Sequence, residues 1–289
     1  MKYIHEDYLH WSGNGPTWQV IIDAPKRQVG TYYEETVIAA EMIWSQKVGE
    51  LYLCYSGGLD SEYALAVFRS LGMKITPVIM ITEYNHPETD YALKYCRNNN
   101  IKPVIINLDY NQFVKSGELL RICTSMKSAA YQLASNMWLI SQIDGTVITG
   151  DSDPHLIKLN DEWLVDEIEP VYSQFNYFKD NRICGTPFFM SYTCEQYTAF
   201  LTDPIIKKLA NNSIPGKLGS YSSKIHVYNN NPYFKFEDRV KKTGYEVVES
   251  SAIYNHRDIQ TVNSWRDKWW GSSNHEYHDL IKRLTNGQY

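Results

Sequence analysis

The chain has 289 residues, 43% of them hydrophobic and 21% charged, with a net charge of −5 and a pI near 5.9. That length holds one large domain or two modest ones with a sizeable core, and the acidic balance argues against a scaffold that grips nucleic acid through a basic stripe. MKYIHEDYLHW at the start is not a charged segment followed by an apolar run, no apolar stretch reaches membrane-spanning length, and the five scattered cysteines form no C-x-x-C pair, so the expectation is a reduced, cytoplasmic protein with no membrane partner and no structural zinc. The 23 tyrosines are expected to line grooves and half-exposed surfaces, since each joins a polar tip to an apolar body.

In chain order, TWQVIIDAP (17–25) reads as a short strand ended by Pro25, and 31–48 as a helix opened by a Thr31/Glu34 capping box and stopped at Gly49. LYLCY (51–55) is a buried strand, 61–71 a helix ended by Gly72, and KITPVIMI (74–81) the next strand. His86-Pro87-Glu88 opens a helix that stops in Asn98-Asn99-Asn100, and KPVIINL (102–108) is a third strand. One long helix is expected from about Gly117 to Gln142, broken by Gly145, before the strand TVITG (146–150). Strands alternating with helices predict an α/β fold, a doubly wound parallel sheet, over 48–155, with 1–47 as an N-terminal strand–helix extension. The remainder, 156–289, changes character and reads as a smaller helical and irregular region on the substrate side. It holds a hairpin around Asn160-Asp161, short helices at CEQYTAFL and DPIIKKLA, a loop-rich basic stretch at 214–228, and a tail with Trp265, Trp269 and Trp270.

The chemistry concentrates after the strand at 51–55, in Ser56-Gly57-Gly58-Leu59-Asp60-Ser61. In an open parallel sheet, ligands bind beyond the carboxyl ends of the strands where strand order reverses. Glycines let backbone N–H groups turn inward; with the Ser56 and Ser61 hydroxyls and a helix N-terminus they make an anion cradle. The spacing is not that of a Walker A loop, which places a lysine where Asp60 stands. A carboxylate beside a phosphate cradle is understandable if Mg²⁺ lies between them.

SGGLDS behind a short strand resembles the pyrophosphate-binding loop of the N-type ATP pyrophosphatases, the PP-loop or adenine nucleotide alpha-hydrolase-like superfamily. That superfamily includes the synthetase domain of asparagine synthetase, NAD synthetase and 7-cyano-7-deazaguanine synthase. All six positions match, and the resemblance covers roughly 48–155. A second segment, VITGDSD (147–153), resembles the S-G-D-G-A-D-E of asparagine synthetases, with spacing one residue shorter and with Pro154-His155 where that family has Glu. The resemblance implies a Rossmann-like fold, ATP and Mg²⁺ as cofactors, Ser56 through Ser61 and Gly150-Asp151 around the nucleotide, and Asp60 with Asp151 as metal ligands. Asp153 is a further candidate. It also implies that the main chain of Ile81 reads adenine, with Glu83 or Tyr84 beside it; the bland reading of this segment is an exposed loop before a helix.

Charge on a departing pyrophosphate calls for a cation. The candidates are Lys127, Lys217 and Lys224, of which Lys224 is preferred because few carboxylates surround it in the sequence and related enzymes bring a C-terminal lysine over the pyrophosphate. HEYH (275–278) offers two histidines but no third ligand, and reads as a solvated helix face. The tryptophans read as packing for a C-terminal helix. The expected function is an ATP-dependent adenylating ligase that releases AMP and pyrophosphate. It activates a carboxylate or carbonyl oxygen of a small molecule or nucleobase for attack by a nitrogen nucleophile, supplied as free ammonia, by a separate chain or as an amine. An RNA sulfur-transfer enzyme, working through Cys123 or Cys184 and a basic surface near Lys207, Lys208, Lys217 and Lys224, and a silent nucleotide-binding module are the two alternatives.

Overall fold

The computed structural model describes residues 4–211, 220–237 and 244–286. Its ten strands are β1 (Leu9–Ser12), β2 (Gln19–Ile22), β3 (Leu51–Cys54), β4 (Ile75–Ile81), β5 (Val104–Asn107), β6 (Thr146–Thr149), β7 (His155–Leu159), β8 (Glu162–Ile168), β9 (Gly185–Thr186) and β10 (Ser272–Glu276). The central sheet is five-stranded and parallel in the order β5-β4-β3-β6-β9. The chain starts this sheet at its middle strand, builds outward through β4 and β5, and returns to add β6 on the other side. Strand order therefore reverses between β3 and β6.

Alternation along each strand feeds two cores on opposite faces. Leu51, Leu53, Ile79 and Ile148 enter one, with the helices α1 (Tyr32–Gln46), α2 (Leu59–Ser70) and α3 (His86–Asn98). Tyr52, Cys54, Met80 and Val147 turn to the other, with α4 (Tyr110–Lys115), α5 (Glu118–Met126), α6 (Gln132–Ser141) and part of α7 (Glu169–Asp180). This is the doubly wound α/β arrangement expected. The capping box at Thr31 is formed, with Thr31 accepting from the Glu34 N–H while the Glu34 carboxylate reaches back.

Several elements differ from the sequence expectation. The single helix over 117–142 is two helices. Lys127 ends α5 in the left-handed region at φ 54°, the Ser128 N–H returns to the Cys123 carbonyl, and the Ser128 hydroxyl takes the Ala130 N–H. That junction redirects α6 across the sheet. The central sheet also extends past residue 155, because β9 pairs with β6. The described part of the basic stretch is not a loop but α10 (Ser220–Tyr228), whose Ile225, Val227 and Tyr228 are buried. Lys217 lies outside the described residues. His275 is on β10 opposite Val165, whereas His278 is on α14 (Tyr277–Leu284), so HEYH is not one helix face.

β7 and β8 form the expected hairpin, with Asn160 and Asp161 both at positive φ as a two-residue turn requires, and β10 adds to β8. The remaining helices are α8 (Cys194–Thr202), α9 (Pro204–Ala210), α11 (Tyr245–Glu249), α12 (Arg257–Asn263) and α13 (Arg266–Trp269). Trp265 packs edge-to-face on Trp269 at 4.9 Å, and Lys268 lies 4.3 Å above the Trp269 ring. Many tyrosines lie in the core instead of lining grooves, and they spend their hydroxyls on carbonyls, as Tyr32 does on Met190 at 2.9 Å and Tyr277 on Leu201 at 2.6 Å. No helix among the described residues is long and apolar enough to cross a membrane.

Candidate functional site

The loop after β3 and the turn after β6 meet at the reversal point. Gly57 sits at φ +83°, where a Cβ would come within 2.8 Å of the Glu88 carbonyl. The Ser56 hydroxyl accepts the Gly58 N–H at 3.1 Å and faces the Ser61 hydroxyl at 3.3 Å. Gly58 is the N-cap of α2 and offers no side-chain cap, so the first turn of this helix presents backbone N–H groups and the positive end of its dipole. Leu59 anchors the turn in the core at 1% exposure. Gly150 closes the other side. A Cβ there would lie 2.7 Å from the Ser61 nitrogen and 2.8 Å from its Cα. Only glycine lets β6 approach the start of α2 this closely.

Asp60, in the first turn of α2, stands beside a lysine and a tyrosine from the C-terminal half. Lys224 Nζ lies 3.3 Å from Asp60 Oδ1 and 2.7 Å from Asp153 Oδ2, and the Tyr228 hydroxyl donates to Asp60 Oδ1 at 2.6 Å. Lys224 and Tyr228 are four apart on α10 and share a face. Tyr228 also stacks on Tyr63 at 4.2 Å, and Tyr63 on Tyr32 at 5.7 Å, which ties Asp60 to a rigid aromatic column. Burial favours a neutral Lys224 amine, but Asp153 and Asp60 together hold its protonation above the ordinary lysine range. Burial pushes Asp153 above the usual carboxylate range, against the pull of Lys224.

Behind the loop a pocket of about 350 Å³ opens, within the size range of small-molecule sites. Ser56, Gly58, Leu59, Asp60, Ser61, Gly150 and Asp151 line it from the loop and the end of β6. Met80, Tyr84, Tyr110, Leu133, Leu139, Tyr245 and Val248 give it an aliphatic and aromatic lining, and Asn85 and Asn136 are among its polar lining. Among the described residues the lining side chains bring Asp60, Glu88 and Asp151 but no lysine, arginine or histidine. No ligand or metal is present. Two carboxylates from different strand ends, flanking a hydroxyl-lined cradle, match the way Mg²⁺ is held by one or two carboxylates plus phosphate oxygens, so Asp60 and Asp151 fit that ion.

The structure does not bring every expected residue here. Ile81 is not among the residues lining the pocket, and its carbonyl accepts the Leu108 N–H at 2.9 Å in the sheet. Glu83 turns away and caps α4, accepting from the Tyr110 N–H at 2.9 Å and from the Asn111 side chain at 2.6 Å. Burial works to raise the Glu83 carboxyl, and these hydrogen bonds outweigh it and hold the group below the usual range. Lys127 is exposed at the end of α5 and does not line the pocket. Tyr84, named with Glu83 as a candidate, does line the pocket, and Tyr228, Asn136, Tyr245 and Val248, which were not expected, frame or line the site. Tyr228 follows Lys224 at a helical spacing that the reading of 214–228 as loop concealed; α11 carries no motif that announces it.

No family model and no curated protein matches the chain. Among solved structures it is similar to a predicted subunit of tRNA methyltransferase from Methanocaldococcus jannaschii, at 12% identity and a TM-score of 0.37 over 77% of this chain and 90% of that one. It is also similar to NMN synthetase from Francisella tularensis, at 15% identity and a TM-score of 0.30 over 68% of this chain and 90% of the other. At that distance the reading of the site rests on its own geometry.

Proposed function

We propose that this chain is an AMP-forming ATP pyrophosphatase. The observation that carries the proposal is the convergence at the reversal point: a hydroxyl-lined cradle at a helix N-terminus and two carboxylates line one pocket, and a lysine pairs with one of those carboxylates. In this reading the β- and γ-phosphates of ATP lie in the cradle of Ser56–Ser61, and Lys224 neutralises charge on the departing pyrophosphate. Mg²⁺, held by Asp60 and Asp151, supplies further charge neutralisation when bound. An oxygen of a small-molecule or nucleobase acceptor attacks the α-phosphorus. The bond from that phosphorus to the bridging oxygen breaks, and pyrophosphate leaves. A nitrogen nucleophile, from ammonia or an amine, then attacks the activated carbon, loses a proton, and AMP departs with the former acceptor oxygen. Positioning and electrostatics carry the rate, and no side-chain nucleophile is needed.

Geometry favours this reading over the sulfur-transfer alternative, because neither Cys123 nor Cys184 lines the pocket, and burial pushes the Cys123 thiol up to about 12, away from a ready thiolate at neutral pH.

The test is hydrolysis of α-labelled ATP with Mg²⁺ and a panel of carboxylate and nucleobase acceptors plus ammonia. Labelled AMP with pyrophosphate, absent in Asp60→Ala, is the expected result. ADP with phosphate overturns the proposal, because it locates the cleavage at the wrong bond.

A further inference from the structure

The pocket has in its lining a polar side chain that makes no hydrogen bond among the described residues. α6 turns Leu133, Asn136 and Leu139 toward the pocket at i, i+3 and i+6, a single helical face. The other polar side chains on these walls are committed. Asn85 spends its amide on the Met80 carbonyl at 2.9 Å and on the Thr82 N–H at 2.8 Å. The Tyr84 hydroxyl donates to Asn111 at 3.0 Å, and the Ser135 and Tyr245 hydroxyls pair at 3.0 Å. The Tyr110 hydroxyl has no partner but is sealed from solvent. The Asn136 side chain is partly exposed to the pocket and makes no hydrogen bond among the described residues. An uncommitted amide between aliphatic and aromatic walls is a specificity device, because an apolar lining accepts a neutral ring and the amide fixes its orientation.

We propose that Asn136 is the residue that reads the base of the bound nucleotide, and that it selects a 6-aminopurine. This rests on the nucleotide reading of the site. An amide presents an acceptor and a donor side by side, the complement of an exocyclic amino group next to a ring nitrogen. Asn136 lines the pocket where Ile81 does not.

The experiment measures Mg²⁺-dependent binding of ATP, GTP and inorganic tripolyphosphate by calorimetry, to the full chain and to Asn136→Ala and Asn136→Asp. The full chain is expected to prefer ATP to GTP. Asn136→Ala is expected to lose about 10- to 100-fold in ATP affinity, the usual worth of a bidentate base contact, with tripolyphosphate binding unchanged. Asn136→Asp, whose ionised carboxylate only accepts, is expected to lower the ATP-to-GTP preference below that of the full chain. Unchanged tripolyphosphate binding shows that both variants retain the fold of the site. Equal ATP affinity in Asn136→Ala and the full chain, or no base preference in the full chain, overturns this inference and leaves the phosphate site standing. No binding of either nucleotide or tripolyphosphate by the full chain overturns the nucleotide reading itself.

Discussion

Asp60 is held from two directions, and the two contacts have different consequences. Lys224 supplies charge, while the Tyr228 hydroxyl fixes which oxygen of the carboxylate is occupied. Tyr228→Phe keeps the stack on Tyr63 and removes only the hydrogen bond. A buried bond to a charged acceptor is worth about 1.5–3 kcal/mol, so chemical denaturation should show a loss near the low end of that range, since Lys224 still pairs with Asp60. The Tyr110 hydroxyl makes the opposite case. It is buried without a partner, so Tyr110→Phe removes an unsatisfied group and is expected to leave the melting temperature unchanged or raise it; a fall would reveal a partner for that oxygen. At this scale the cradle was legible because six consecutive residues carry it. Tyr228 and Asn136 were not, because each acts through a neighbour that sequence order does not supply.

At the scale of elements, the strands and α1 to α3 were legible wherever a run of apolar residues ended at a cap or a glycine. The break between α5 and α6 was not. Helical periodicity continues through 117–142, but the backbone leaves the helix from Lys127 to Tyr131, turning at the left-handed Lys127. A left-handed non-glycine residue costs roughly 1 kcal/mol. Lys127→Gly relieves that strain at an exposed position, so a gain of about 0.5–1 kcal/mol is expected. ATP turnover should be unaffected, because Lys127 does not line the pocket; a large loss of turnover would place this lysine back among the catalytic cations. Gly150→Ala should do the reverse. Its Cβ would meet the Ser61 backbone at 2.7 Å, forcing β6 and the first turn of α2 apart. A loss of about 2–4 kcal/mol, comparable to other severe core strain, is expected together with loss of phosphate binding.

At the scale of the whole molecule, the first and last parts of the chain share cores with the central sheet. β9 contributes two residues to the sheet, too few for any periodicity to announce. One carboxylate links the minor sheet to two helices: Glu167 on β8 accepts from the Tyr197 hydroxyl of α8 at 2.5 Å and the Tyr172 hydroxyl of α7 at 2.9 Å. Burial pushes Glu167 up to about 7, with Asp166 and Asp153 adding to the rise and the two tyrosines opposing it. The sign of the consequence follows. Between the ordinary glutamate range near pH 4.5 and pH 7, the folded chain keeps a proton that the unfolded chain has released, so stability falls as pH rises through that window and the cost is complete above it. Glu167→Gln keeps an acceptor for one tyrosine and removes the charge. It is expected to raise stability at pH 8 by up to about 3 kcal/mol and to leave it nearly unchanged at pH 4.5, in paired thermal melts. A variant less stable than the parent at pH 8 would mean that the two tyrosine bonds more than offset the burial of the ionised carboxylate, and that this junction is held by the charge instead of in spite of it.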